Sequence, residues 1–414
     1  MSQSGTSDDV PQHQGSSQAG ASENVPRRQG SSSIAVATSD GARQRRKIAE
    51  LEGKLQVLES GQAIKQRETN YYVSKGRAIR RIVILYDGIE DLIAENDRRC
   101  DDESDDNVVP GQECLQVGYI ALNNALPWFH SRASDLEYDE YLQMLKKLRQ
   151  GADGARGDDT SKLKSLVADW VNRELKPNPS IDPDDKTCRG FVNDACGRLL
   201  CPTELDWSNP IVRSGIRDRA EGYVVTEMSW PAFMYHKYTA DPDNLEEGLF
   251  KSSLLIQAFK AIFTSPSSAK EVANEGDGAN IIANNRHANR QLFSGKKVKT
   301  HVVQIINMHD VTPRSIAYVS CQLRFALSSV TSWCTIDGDF DYVPFWNTIV
   351  DFFERPPGRT ARRKSEQLLV WWKRKVFGTS HRAELSDGVR AKLSVNALAR
   401  QRAQADDATF DSDQ

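Results

Sequence analysis

Apolar residues recur three and four positions apart along much of the chain, the spacing that gathers them on one side of a helix. The strongest run lies between Thr312 and Val330. There Ile316, Val319, Leu323, Leu327 and Val330 share a face, and Thr312 and Pro313 supply an N-cap and a first helical residue. After an acidic DGDFD turn, Phe345, Ile349 and Phe352 repeat the pattern, and Leu368, Trp371, Trp372 and Val376 define a third helix that stops near Gly378. Upstream, the same spacing predicts one core helix over Ile79 to Ala94. Further helices are predicted over Leu115 to Trp128, Leu136 to Leu148, Leu163 to Leu175 and Leu245 to Phe263. The strings GADGARGDD and KPNPSIDPDD read as loops between them. No sustained strand alternation occurs, and Tyr223 to Thr226 and His301 to Ile306 are the candidate short strands.

A separate seam runs through Arg43 to Glu68, where Ile48, Leu51, Leu55 and Leu58 follow the a/d rhythm of a coiled coil. Two heptads are too short to be stable alone. The preceding Arg43, Arg45, Arg46 and Lys47 are too short a run for the groove-filling helix of a basic leucine zipper, and read as a solvated helix end or an import signal.

The pattern therefore predicts a mainly α protein, an irregular multi-helix single domain over 71–380. A short coiled-coil-like helix over 43–70 leads into it, with a disordered segment over 1–42 and a flexible tail over 381–414. All eight Trp and all eleven Tyr lie between the two ends, so the first 40 residues have too little apolar surface to offset the entropy of ordering them. Within the tail, VRAKLSVNALARQRA carries a weak helical pattern.

A net charge of −3 argues against coating nucleic acid or a membrane through bulk charge, but the charges are segregated. Asp87 to Asp106 holds ten acidic and two basic residues, and Arg355 to Arg382 holds nine basic and one acidic. No apolar run reaches the length of about 18 residues that spans a bilayer, so no membrane association is expected. Seven Cys without a secretory signal predict reduced thiols in an intracellular protein, with the nucleus as a candidate compartment.

The strings GRLLCPTELDWSNPIVR, WPAFMY, DPDNLEEGLFKSSLL, IFTSPSSA, VTPRSIAYVSCQLRFALSS and LLVWWKRKVF resemble the hallmark segments of a family of uncharacterised proteins expanded in mushroom-forming basidiomycete fungi. The resemblance covers Arg77 to Phe377. It implies a setting but no activity, cofactor or catalytic residue. Where members of that family tend to carry WWN, this chain carries the more basic WWKRK.

The common nucleotide-binding and hydrolase signatures, including the P-loop, the nucleophile elbow and the HExxH zinc motif, are absent. Asp337, Asp339 and Asp341 imitate the start of a calcium-binding loop. Tyr342 stands where such a loop needs glycine and Thr348 where it needs glutamate, so the stretch reads as a helix-capping acidic turn. Cys188, Cys196, Cys201 and His236 lack the close C-x2-C pair of a structural zinc site, and the three cysteines read as buried thiols. His301 and His309 read as ordinary core or loop residues, and no metal or cofactor is expected.

The basic segment is the main functional candidate. RPPGRTARRKSEQ reads as an exposed loop, and Arg359, Arg362, Arg363, Lys364, Lys373, Arg374 and Lys375 are candidate nucleic-acid contacts beside the aromatic Trp371 and Trp372. The competing expectation has both indoles anchoring the helix in the core, with the cations as its solvated face. The functional expectation is a non-enzymatic interaction or scaffold protein with nucleic-acid association through this patch. One alternative is a degenerate metal-dependent mobile-element nuclease using carboxylates such as Asp206, Asp241 and Asp243, residues equally explained as N-caps. The other is a purely protein-binding scaffold, in which the acidic run meets a basic partner or the chain's own basic patch. The nucleic-acid reading is expected to be aided by self-association through 43–70, with protein partners as the other expectation for that helix.

Overall fold

The computed structural model describes residues 34–101, 110–269, 301–378 and 386–410. The expected disorder over the first residues lies outside them up to residue 33. The protein is mainly α, and the one strand pairing among the described residues is a hairpin of β1 (Ile336–Asp337) and β2 (Phe340–Asp341). Its turn is the DGDFD string, with Gly338 at φ +68. Tyr223 to Thr226 is irregular, and His301 to Ile306 holds a helical turn, α10 (Val302–Ile305), in place of a strand.

Residues 34–65 form one unit and residues from Gln66 onward another. Helix α1 (Ile34–Gly76) extends beyond the Arg43 to Glu68 stretch at both ends. In the first unit Ile48, Leu51, Leu55 and Leu58 are all exposed.

The second unit is built around α11 (Pro313–Leu327). Thr312 and Ser315 form a reciprocal N-terminal cap, with Ser315 N donating to Thr312 Oγ1 at 3.2 Å and Thr312 N to Ser315 Oγ at 3.0 Å. Every residue from Arg314 to Leu327 is buried. An amphipathic stripe predicts only half of that burial. The rest follows because α2 (Ile79–Ile82), α6 (Tyr138–Leu175), α9 (Ser253–Phe263) and α12 (Tyr342–Glu354) surround α11.

The glycines of GADGARGDD do not form a loop. They lie inside α6, one helix across the predicted break. At Gly151 a Cβ would stand 2.1 Å from the Val73 carbonyl oxygen, and at Gly76 one would stand 2.1 Å from that of Leu148. The two glycines let the end of α1 cross α6 backbone to backbone, which a side chain forbids.

Conversely, the helix expected over Ile79 to Ala94 is broken into α2 and α3 (Ile89–Asp101), with Val83 to Gly88 irregular between them. Two arginines take the carbonyls this break releases. Arg314 Nη1 donates to Val83 O at 2.5 Å and Arg80 Nη1 to Asp87 O at 2.6 Å. The helix expected from Leu245 starts only at Ser253, capped by Ser252, because Gly248 and Phe250 hold positive φ of 76 and 59.

Helix α4 (Pro110–Ala125) overlaps the helix expected over Leu115 to Trp128 but starts five residues earlier and ends before the turn at Leu126 to Trp128, and α5 (Phe129–Asp135) precedes α6. Among the described residues the remaining α-helices are α7 (Asp194–Leu200), α8 (Pro210–Arg217), α13 (Arg359–Phe377), and in the tail α14 (Asp387–Lys392) and α15 (Ser394–Phe410).

Buried arginines cross-link this core. Arg81 of α2 grips Asp159 of α6 with two hydrogen bonds of 2.8 Å, and Tyr318 of α11 donates to the same carboxylate at 2.9 Å. Arg314 grips Glu354 of α12 at 3.0 and 3.1 Å. Arg324 donates to Asp337 and to Tyr342 Oη, at 2.9 and 2.8 Å, beneath the Phe340 ring. Paired, hydrogen-bonded charges of this kind tolerate burial that an isolated charge does not.

Candidate functional site

The candidate basic residues stand on α13, which starts at Arg359. The irregular stretch is thus only Arg355 to Gly358, and RTARRKSEQ is helical, not the expected loop. Thr, Ala, Arg, Lys, Ser, Glu and Gln all tolerate a helix, and the breakers Pro356, Pro357 and Gly358 precede them.

The inner side of α13 carries Ser365, Trp372, Val376 and Phe377, all buried. Trp372 lies against Phe259 of α9 with ring centroids 5.2 Å apart. Trp371 is half-buried and faces a groove of about 370 Å³ bordered by Glu246, Glu247 and Lys251. Trp372 therefore anchors the helix, and neither indole stands free as a stacking platform beside the arginines.

The outer side carries Arg359, Arg362 and Arg363, one helical face by their spacing and all exposed. None of the three holds an ion pair or side-chain hydrogen bond among the described residues. The other four candidates differ. Lys364 pairs with Glu246 at 2.5 Å, Lys373 pairs with Asp310, and Arg374 and Lys375 have interactions of their own. Structure thus divides the seven candidates into three unengaged cations at the start of the helix and four engaged ones.

The acidic run has its own neighbours. Glu95 of α3 is held by Arg98 and Arg99 at 2.9 and 2.7 Å, and Arg99 also reaches Glu113 at 3.0 Å. These arginines hold Glu95 down to about 2. Lys364 and Lys373 of the basic helix pair with Glu246 and Asp310, which lie outside the acidic run. Residues 102–106 of that run lie outside the described residues.

The acidic turn works as a brace. Asp337 binds Arg324, Asp339 binds Arg219 at 2.8 Å, and Asp341 caps α12 by accepting from Val343 N at 2.8 Å. Asp206 and Asp241 close tight turns onto Ser208 N and Asp243 N, while the cap of α8 is Asn209. Cys196 and Cys201 are buried as expected, whereas Cys188 is only half-buried and His236 is exposed. Burial pushes both thiols up to about 12, away from the thiolate a zinc ion requires. Among the described residues no group of three His, Cys, Asp or Glu side chains is placed to hold a metal ion.

A second cationic feature has no motif in the sequence. One side of α6 presents Arg156, Thr160, Ser161 and Lys164 to a cleft of about 360 Å³ whose other wall holds Lys186 and Trp333. Lys186 is buried, donates from Nζ to Phe325 O at 2.5 Å, and sits 3.4 Å from the Phe325 ring centroid. Arg189 donates to Ala326 O at 2.9 Å. Together the two cations cap the carbonyl end of α11. Burial, reinforced by Arg189, pushes the Lys186 amine down to about 7. The signal available in the sequence was two cations three residues apart in an otherwise polar loop, which does not reveal the distant helix end they meet.

These features define a mainly helical domain with an arginine-braced core and a cationic outer helix. The family model of DUF6698, a family of unknown function, matches residues 150–377, and the chain belongs to that family. The match begins within α6 and ends at the last residue of α13, so α2 to α5 precede it. No curated protein and no solved structure matches the chain. Among the described residues no helix is long and apolar enough to cross a membrane.

Proposed function

We propose that this protein is a non-enzymatic binding module that contacts nucleic acid through the outer face of α13. The observation that carries this reading is the row of Arg359, Arg362 and Arg363, exposed and without acidic partners among the described residues, on a helix that Trp372 anchors in the core. Such a row meets phosphates without reading bases, so binding is strong at low salt and indifferent to sequence. A nuclear location accords with this role. The wider setting, a family expanded in basidiomycete fungi, comes from sequence resemblance and adds no activity.

The nuclease alternative draws less support, because the buried Asp159 and the half-buried Asp337 and Glu354 are each engaged by an arginine. Metal-dependent phosphoryl chemistry needs carboxylates held free to converge on cations.

Fluorescence anisotropy of the full chain with labelled single- and double-stranded DNA and RNA across a salt series tests the proposal. Affinity is expected to fall steeply with salt. Replacing Arg359, Arg362 and Arg363 by Ala should lower the slope of log K against log salt on duplex DNA by about 3, one phosphate per guanidinium. Absence of binding at low salt, or binding indifferent to the three substitutions, overturns it and leaves a protein partner as the reading to pursue.

A further inference from the structure

The apolar seam of α1 has the composition of half an interface. Ile48, Leu51, Leu55 and Leu58 are 54, 55, 56 and 63 % exposed, so the side chains that elsewhere in this chain make core are here open to water. With Ile48 and Leu55 at a and Leu51 and Leu58 at d, the flanking e positions are Glu52 and Glu59 and the g positions are Lys47 and Lys54. Both acids fall on one flank and both lysines on the other. Val57 and Ile64, also exposed, lie off this seam at the outward c position.

That separation selects an occupant. In a parallel, in-register pair of identical helices, each g residue faces the e residue of the next heptad on its partner. Lys47 then meets Glu52 of a second copy and Lys54 meets Glu59, so each lysine faces an acid. In an antiparallel pair g faces g and e faces e, which sets Lys against Lys and Glu against Glu. The β-branched Ile48 at a with Leu51 and Leu58 at d also favours two strands. In the single chain Lys54 is held by Glu50 at 2.6 Å, but both side chains are more than 60 % exposed, and such a pair competes weakly.

We propose that the segment from Lys47 to Glu59 pairs with the same segment of a second copy of this chain as a parallel, in-register two-stranded coiled coil. The seam spans only two heptads, so the dimer is weak and concentration-dependent. It is independent of the nucleic-acid reading, since none of its residues lies on α13.

Sedimentation velocity of the full chain over a concentration series is the test, with charge-reversed variants. Lys47→Glu with Lys54→Glu makes both flanks acidic, and Glu52→Lys with Glu59→Lys makes both basic. Each variant alone should raise the dimer dissociation constant about tenfold or more, and an equimolar mixture of the two should restore it. All four residues are exposed, so the substitutions leave the helical core intact. A chain that stays monomeric at about 0.1 mM overturns the proposal. So does a dimer whose affinity neither variant changes, because an antiparallel pair merely exchanges one set of like-charge contacts for another.

Discussion

Arg81, Arg314 and Arg324 lie within the core, and Arg359, Arg362 and Arg363 lie on the outer face of α13. Each inner arginine meets a carboxylate from another part of the chain and is at most 5 % exposed, whereas the outer three meet none among the described residues. The inner set converts charge into cross-links between helices, because in a dry environment an ion either finds its partner or destabilises the fold. The outer set keeps its hydration and is free to exchange it for a ligand's phosphates. The same side chain thus serves architecture or recognition according to what its neighbours supply.

The sharpest way to break this contrast is Asp159→Ala. It leaves Arg81 buried without its carboxylate and removes the acceptor of Tyr318 Oη. Urea unfolding should show a loss of about 3–5 kcal/mol. A loss below about 1 kcal/mol would mean that water reaches Arg81 and that the inner set is not a brace.

A smaller effect concerns Lys186, a buried cation that meets carbonyls instead of a carboxylate. Its folded amine titrates near 7 and the unfolded one near its ordinary 10.5, so between these values the unfolded chain binds the extra proton. The burden on folding is full below about pH 7 and is relieved as pH rises. Between pH 7 and 8.5 the unfolding free energy of the natural chain should therefore rise relative to that of Lys186→Met, by about 1 kcal/mol per pH unit. At higher pH the buried thiols of Cys196 and Cys201, pushed up to about 12, add an opposite trend to both proteins once unfolded thiols ionise, and the difference between the two removes it. Parallel curves for the two proteins would show that the amine is hydrated.

The smallest effect is expected at the outer set. Ala at Arg359, Arg362 and Arg363 should change stability by no more than about 0.5 kcal/mol per site, even as the salt-dependent binding is lost. A large loss of stability would place these arginines with the inner set and undercut their role in recognition.

Much of the helix inventory is legible in the chain. The Thr312–Pro313 start, the stop of α13 at Gly378 and the Asp341 cap are local signals, and each stands where the sequence places it. GADGARGDD is misleading because glycine serves both a loop and a close helix crossing, and only the Val73 backbone distinguishes them. RTARRKSEQ is misleading because exposure and charge are shared by loops and by the wet face of a helix. The row of outer cations is visible in sequence, but which of seven are engaged depends on Glu246 and Asp310, far along the chain.

By itself the sequence determined the mainly α class, the apolar faces, the caps and the a/d seam of α1, because helical periodicity and capping act within one or two turns. Only the tertiary structure decided that α6 is continuous, that the Ile79 to Ala94 stretch breaks, and which charges are inside. Those outcomes depend on partners 78 residues apart for Arg81 with Asp159 and 231 apart for Arg314 with the Val83 carbonyl. At such separations the chain carries no local pattern, and contact exists only once the helices have packed.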